Sequence, residues 1–255
     1  MENPTYHIQI EDRQKVGKYV LLPGDRGRVK RIAKYLEKPE VVGDNREYFT
    51  MTGYLNGEKV SVMSTGMGAP CMSIGVEEIR TLGSDTFIRV GTTGALQPYI
   101  KLGDSIIATA AVRFDGTMVD YVPKEYPAVA NFNVISKMQQ AAKMINNPHH
   151  IGIVHSTDSY YGRNFNPQAA IELSKMLTKS NVLAVEMEIS ALYILGSIYS
   201  LRTGAILTTR EARQDINENY QQAGEEFEQG MEKSIQIAFK SIELLIEEDN
   251  RAVRP

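Results

Sequence analysis

The sequence predicts an α/β fold: a single domain built on a central mixed β-sheet flanked by helices. Three observations lead there. Short apolar runs end repeatedly at turns rich in glycine, serine or threonine, and helical patterns lie between those runs. No Pro/Gly/Ser-rich linker, internal repeat or low-complexity tract divides the 255 residues, so the expected domain is 1–255. A chain of that length can bury a substantial core in one unit.

The elements follow in order. Tyr19-Val-Leu-Leu22 reads as a strand running into Pro23-Gly24-Asp25, and a helix follows with Val29, Ile32, Ala33 and Leu36 on one face. Val60–Met63 runs into Ser64-Thr-Gly-Met-Gly-Ala-Pro70, and Ser73–Leu82 reads as the next helix. Phe87–Val90 runs into Gly91-Thr92-Thr93-Gly94. Further strands are expected at Ser105–Ala108, Ile151–His155, Val182–Val185 and Ala205–Thr208, and further helices at Asn133–Met144, Pro167–Leu177 and Met187–Ser200. Phe227, Met231, Ile235, Ala238, Ile242 and Leu245 recur at helical spacing and define a C-terminal amphipathic helix. Strands alternating with helices in this way imply a predominantly parallel or mixed sheet covered on both faces.

Composition narrows the function. The formal net charge of −3 argues against a partner bound through bulk charge, so no nucleic acid is expected. The longest charge-free stretch, Val60–Val76, carries three glycines and a proline and is no membrane span; no membrane partner is expected. The first residues, MENPTYHIQIEDR, show no basic region followed by an apolar run, and a single cysteine fits a reducing compartment; together they predict a cytoplasmic protein. Charge is nevertheless unevenly spread. Lys15 to Lys38 holds eight basic residues against Asp25 and Glu37, while Glu211 to Asp249 holds eleven acidic residues against Arg213, Lys233 and Lys240.

In open α/β sheets ligands bind beyond the carboxyl ends of the strands. The turns after Leu22, Met63 and Val90 therefore define the place to look. Their glycines allow backbone N–H groups to approach an anion, and Arg28 and Arg89 stand beside them. Guanidinium forks match phosphate oxygens, so a phosphate is one reading; ordinary turns beside a surface arginine are the other, since no P-loop or dinucleotide fingerprint is present.

The combination of Leu22-Pro-Gly-Asp-Arg-Gly-Arg28-Val, Asn45-Arg-Glu-Tyr48, Ser64-Thr-Gly-Met-Gly-Ala-Pro70, Ile88-Arg-Val-Gly-Thr-Thr-Gly-Ala95 and Val185-Glu-Met-Glu188 resembles the hexameric nucleoside phosphorylase family, most closely its bacterial uridine phosphorylase branch. The likeness runs from about His7 to the C-terminal helix. It implies a nucleoside phosphorylase-like fold, inorganic phosphate as co-substrate with no further cofactor, and a nucleoside partner. It also implies a homo-oligomer, with a two-fold dimer as the smallest active unit and a hexamer as the assembly.

Residue by residue, the resemblance gives Gly24, Arg28, Arg89 and Thr92 to phosphate, with Arg46 lent across a dimer interface. It gives Met187 and Glu188 to the ribose, with His7 donated by the neighbouring subunit to the 5′-hydroxyl. It gives Gly94 and Tyr160 to the base, and places Arg210 on a loop that closes the pocket. Arg89 and Glu188 are expected to be catalytic, with Arg163 as the third catalytic residue. For Glu186, a site carboxylate and a helix N-terminal acid favoured by the helix dipole both stand.

Three departures refine the expectation. Family members read the uracil edge with a glutamine and, two residues on, an arginine; here those positions hold Arg163 and Phe165. Arg163 is expected to donate to uracil O4 and to disperse charge on the leaving base. Purine-cleaving members place an acid on the strand Ile206-Leu-Thr-Thr-Arg210 to protonate N7; Thr209 falls near that position and cannot, so a pyrimidine is expected. A broader or purine specificity and a non-catalytic nucleoside-binding protein are the alternatives. Some members bind potassium through a glutamate, a carbonyl and a serine. Glu47 and Met67 match, but Cys71 replaces the serine, and a thiol is a poor ligand for a hard cation. His149, His150 and His155 lack metal-ligand spacing, and Asn-Pro-His-His reads as a turn, so no metal is expected.

Overall fold

The computed structural model describes residues 5–212, 221–222 and 224–253. The strands are β1 (Tyr19–Leu22), β2 (Glu37–Asn45), β3 (Tyr48–Leu55), β4 (Glu58–Met63), β5 (Thr86–Ala95), β6 (Ser105–Phe114), β7 (Ala128–Val129), β8 (His149–Thr157), β9 (Ala184–Glu186), β10 (Arg202–Ala212) and β11 (Gln221–Gln222). The α-helices are α1 (Arg26–Ala33), α2 (Ala69–Thr81), α3 (Phe132–Met144), α4 (Gly162–Phe165), α5 (Pro167–Lys179), α6 (Ile189–Ile198) and α7 (Glu225–Val253).

One sheet holds every strand, in the order β11-β10-β6-β8-β9-β5-β1-β4-β3-β2, with β7 beside β6. It is mixed. β1 lies parallel to β4 and β5, β5 parallel to β10, and β8 parallel to β6 and β9, whereas β2, β3 and β4 form an antiparallel meander. Because β10 pairs with both β5 and β6, the strands β10-β6-β8-β9-β5 close into a ring. That closure was not predicted from the sequence. It removes the edge that β10 would otherwise expose.

Two apolar layers cover the sheet. Val76 and Ile79 of α2 pack with Leu192 and Leu195 of α6 against Val20, Phe87 and Leu207. Val29 and Ile32 of α1, Met138 of α3 and Ile235 and Ile242 of α7 pack against Leu21, Ile88 and Ile206 on the other side. The six residues that predicted the C-terminal helix are all buried, as their period requires. Helix α6 is buried from Ile189 to Gly196, which explains why its sequence is apolar all round.

The charge blocks also find their place. Arg31 of α1 reaches Glu228 and Glu232 of α7, and Lys18 and Arg202 converge on Asp249 near the end of the same helix. The basic block is thus partly neutralised by the acidic one.

The hairpin β2–β3 had no counterpart in the sequence reading. Residues 37–41 of β2 are exposed and three of the five are charged, so no apolar run longer than Val41-Val42 announces the strand; its pairing with β3 creates it. The expected turn at Asn-Pro-His-His is shorter than its motif, since β8 already begins at His149.

Candidate active site

Loop chemistry at the carboxyl ends of β1, β4 and β5 builds the site. Asp25 caps α1, its carboxylate accepting from the N–H groups of Gly27 and Arg28, and so fixes the turn that carries Gly24 and Arg28. The next loop is locked to it: Thr65 and Gly66 donate to the carbonyls of Pro23 and Gly24. Gly68 then takes φ +89, a conformation that glycine adopts without steric cost, and this aims its N–H at Glu188 Oε1, 2.6 Å away.

Arg89, on β5, is buried at the centre of these loops. Its Nη2 donates to Glu188 Oε2, and its Nε donates to Glu186 Oε2 at 3.3 Å. Its Nη1 is buried with no hydrogen-bond partner among the described residues. A Cβ built on Gly24 would stand 3.9 Å from that nitrogen, which places the β1 turn directly against it. A Cβ on Gly91 would meet Arg89 Cζ at 2.9 Å, so only glycine there lets the guanidinium lie along the strand.

Arg28 donates to the carbonyl of Val90 at 3.2 Å. Burial, and then the positive charge of Arg89, push its pKa down to about 10, with Arg210 adding to the repulsion and Asp25 opposing it. Cations gathered this closely favour an anion between them. Thr92, half-buried on β5, faces Thr208 of β10 in register.

The two acids of Glu186-Met-Glu188 separate into different roles. Glu186 accepts from Ser156 Oγ and from the N–H groups of Glu188 and Ile189, so it is the N-terminal acid of α6 and a clamp on Arg89 at once. Burial, with Glu188 alongside, pushes its carboxyl up against the pull of Arg89. Glu188 keeps acceptor capacity beyond Gly68 and Arg89, since a carboxylate offers about four lone-pair positions. Half-buried Met187 lies between them.

A second cluster lies at the far end of β5. Gly94 pairs in register with Glu211 of β10 across a β-bulge between Thr209 and Glu211, and a Cβ on Gly94 would stand 3.7 Å from Glu211 Oε2. The Tyr160 hydroxyl donates to Glu211 Oε1 at 2.6 Å. Arg163, on α4, reaches Glu211 Oε2 at 3.4 Å, and its guanidinium lies 4.8 Å from the centre of the Tyr160 ring. Gly94 and Tyr160, which the resemblance gives to the base, and Arg163, which departs from the family pattern, are therefore brought together around an acid not singled out in the sequence. A bulge on a strand beside glycine would have been its only signal. Phe165 stands 94% exposed.

Other expected positions fall differently. Arg210 lies on β10 rather than on a loop, its guanidinium 5.3 Å from the centre of the Phe227 ring, on the Arg28 side of the site. Thr209 is fully buried. A threonine hydroxyl there supplies no acid for purine N7, while Glu211, two residues on, sets a carboxylate opposite Gly94.

His7 and Arg46 make their contacts with other partners. The His7 backbone and Nδ1 bind the Glu78 carboxylate of α2, and the Asn45 side chain donates to the His7 carbonyl at 2.8 Å. Arg46 is exposed at the β2–β3 turn with φ +53. Among the described residues no hydrogen bond or ion pair joins either to Arg28, Arg89, Thr92 or Glu188.

Glu47 and Cys71 do meet across Gly66, whose added Cβ would touch both. Burial first, and then the Glu47 charge, raise the Cys71 pKa. A protonated thiol does not fit a hard monovalent cation. Among the described residues no three His, Cys, Asp or Glu side chains group as metal ligands, and no helix is long and apolar enough to cross a membrane.

Fold and site together define an α/β protein with two close arginines among glycine turns, set against a buried acid pair. The phosphorylase superfamily model matches residues 18–247. Similar proteins include a uridine phosphorylase of Treponema pallidum (42% identical, covering 96% of this chain and 95% of that one). A uridine phosphorylase of Thermococcus kodakarensis is 40% identical over 99% of this chain and 91% of its own. The crystal structure of a Vibrio fischeri uridine phosphorylase superposes with a TM-score of 0.83 at 30% identity, covering 93% of this chain and 96% of that one. The chain belongs to the phosphorylase superfamily.

Proposed function

We propose that this chain is a nucleoside phosphorylase that cleaves a pyrimidine nucleoside, uridine first, with inorganic phosphate. A phosphate oxygen attacks C1′, the C1′–N1 bond breaks, and its electron pair leaves on the base, which takes up a proton; free base and ribose 1-phosphate result. The observation that carries this is the cation cluster: a buried Arg89 Nη1 with no partner among the described residues, facing Gly24, beside an Arg28 whose charge is opposed by burial and by Arg89. Inorganic phosphate satisfies all three.

The ribose lies over Met187 with its 2′- and 3′-hydroxyls donating to Glu188. Glu188 and the phosphate then bracket a sugar that gains oxocarbenium character as the base departs. Arg89 touches both, holding nucleophile and sugar in one geometry, and Glu186 fixes Arg89 in turn. Arg163 and Tyr160 receive the base beside Gly94. Among the described residues neither His7 nor Arg46 is bonded to Arg28, Arg89, Thr92 or Glu188, and the family resemblance gives both to a neighbouring subunit's site, with a two-fold dimer as the minimal active unit and a hexameric ring as the assembly. The single thiol supports a cytoplasmic setting.

A second reading, turnover of purine nucleosides as well, is favoured by one observation: an acid, Glu211, stands at the base end. The deciding experiment is a panel of uridine, thymidine, inosine and adenosine, each with and without phosphate, scored for released base. Phosphate-dependent release of uracil is expected to be fastest. Equal release without phosphate, or none from any nucleoside, overturns the proposal.

A further inference from the structure

The base end of the site contains one feature that phosphorolysis does not require. Glu211 projects a carboxylate into it, 13% exposed at the side chain; among the described residues the Tyr160 hydroxyl bonds Oε1 and the long Arg163 contact is made to Oε2. The oxygen nearest Gly94, where a base would approach without a side chain in the way, is thus the less engaged one.

The chemistry of a uracil edge supplies the missing partner. That edge offers two carbonyl acceptors flanking one N–H donor. Arginine has donors and no acceptor, so Arg163 can meet a carbonyl but not the N–H. The Tyr160 hydroxyl already donates to Glu211, and the pKa of Tyr160 is raised chiefly by that bond. An ionised carboxylate accepts and cannot donate, which makes Glu211 Oε2 the complement of a ring N–H.

Resting on the reading of this chain as a nucleoside phosphorylase, we infer that Glu211 is a specificity-determining residue. Its Oε2 accepts the ring N–H next to the carbonyl that Arg163 binds. The site therefore takes bases with that N–H (uracil, thymine) and rejects cytosine, whose N3 presents a lone pair to the carboxylate. A site built to hydrogen-bond a group discriminates strongly against an analogue lacking it, because the buried partner is left unpaired. The bulge at Thr209/Glu211 re-aims the strand, setting Glu211 opposite Gly94 while Arg210 turns to Phe227.

The test compares the full-length enzyme with Glu211→Gln and Glu211→Ala on uridine, 3-methyluridine and cytidine, with inosine and adenosine as the corresponding purine pair, all with phosphate. Wild type is expected to favour uridine over cytidine and over 3-methyluridine by at least about 100-fold in kcat/KM. An amide can turn its NH2 toward cytosine N3, so Glu211→Gln should lower the uridine-to-cytidine ratio at least tenfold. Glu211→Ala should raise KM for uridine by about tenfold or more while leaving KM for phosphate within about twofold.

If wild type acts on uridine and both variants keep its discrimination, the inference is wrong and the phosphorylase reading stands. Turnover confined to purines overturns the uridine reading, and the inosine-to-adenosine ratio then decides Glu211 by the same criterion. Absence of phosphate-dependent turnover from every nucleoside overturns both. Phosphate-induced thermal stabilisation, retained in the variants, shows that they are folded.

Discussion

Arg28 and Arg31 stand one turn apart on α1 and live in opposite surroundings. Arg31 faces α7, where the hydrogen bonds it donates to Glu228 and Glu232 raise its pKa against the cost of burial. Arg28 faces β5, where burial and Arg89 lower it to about 10. A structural arginine is matched by acids of its own chain. Arg28 instead stands where like charges outweigh Asp25, as the proposed phosphate site requires. His155 completes the contrast. Burial lowers its pKa to about 4, and among the described residues neither ring nitrogen has a partner. An imidazole escapes an unfavourable site by losing its proton, whereas a guanidinium does not and so remains ready for an anion.

The comparison can be broken most severely at Arg89. Arg89→Lys keeps the charge and loses the fork, and kcat/KM should fall by about 10³-fold while stabilisation by phosphate disappears from thermal melts. At Arg28, substitution by Ala should raise KM for phosphate by about 100-fold. In phosphate-free buffer the same variant should melt no lower than wild type, because a repelling cation has been removed; a clear drop would mean that Arg28 is structural.

His155 gives a pH signature. Between its ordinary value near 6.5 and about 4, the unfolded chain binds a proton that the native chain does not. Stability therefore falls as pH drops through that window, by about 2 kcal/mol on reaching pH 5. Urea unfolding at pH 7.5 and pH 5 should show His155→Phe losing that much less than wild type. The smallest effect is expected at Arg31, where replacement by Ala should cost about 1 kcal/mol of stability and leave kcat/KM within about twofold.

Much of this was legible because the signals are local. Apolar runs ending in glycine turns mark β1, β4 and β5 whatever lies around them, and those turns are the cradle. The period of Phe227, Met231 and Ile235 marks α7 for the same reason. The hairpin β2–β3 was hidden because half of β2 is exposed and polar and is made a strand only by its partner. Glu186 stayed ambiguous since a helix cap and a site acid look alike in sequence; here it caps α6 and clamps Arg89 together. Glu211 opens a stretch of acids and nothing in its local sequence separates it from them; the strand bulge that sets it opposite Gly94 does.

The net charge of −3 shows the same division. By itself the sequence determined the fold class, the family and the residue types at the anion cradle, since these follow from local pattern and motif. Only the tertiary structure decided which charges cancel and which converge. The acids of α7 neutralise Arg31 and Arg202, while Arg28 and Arg89, far apart in the chain, come close enough to repel, with Asp25 only partly offsetting this at Arg28 and Glu186 and Glu188 holding Arg89. Electrostatic energy depends on separation in space and on burial, and neither is a property of position along the chain.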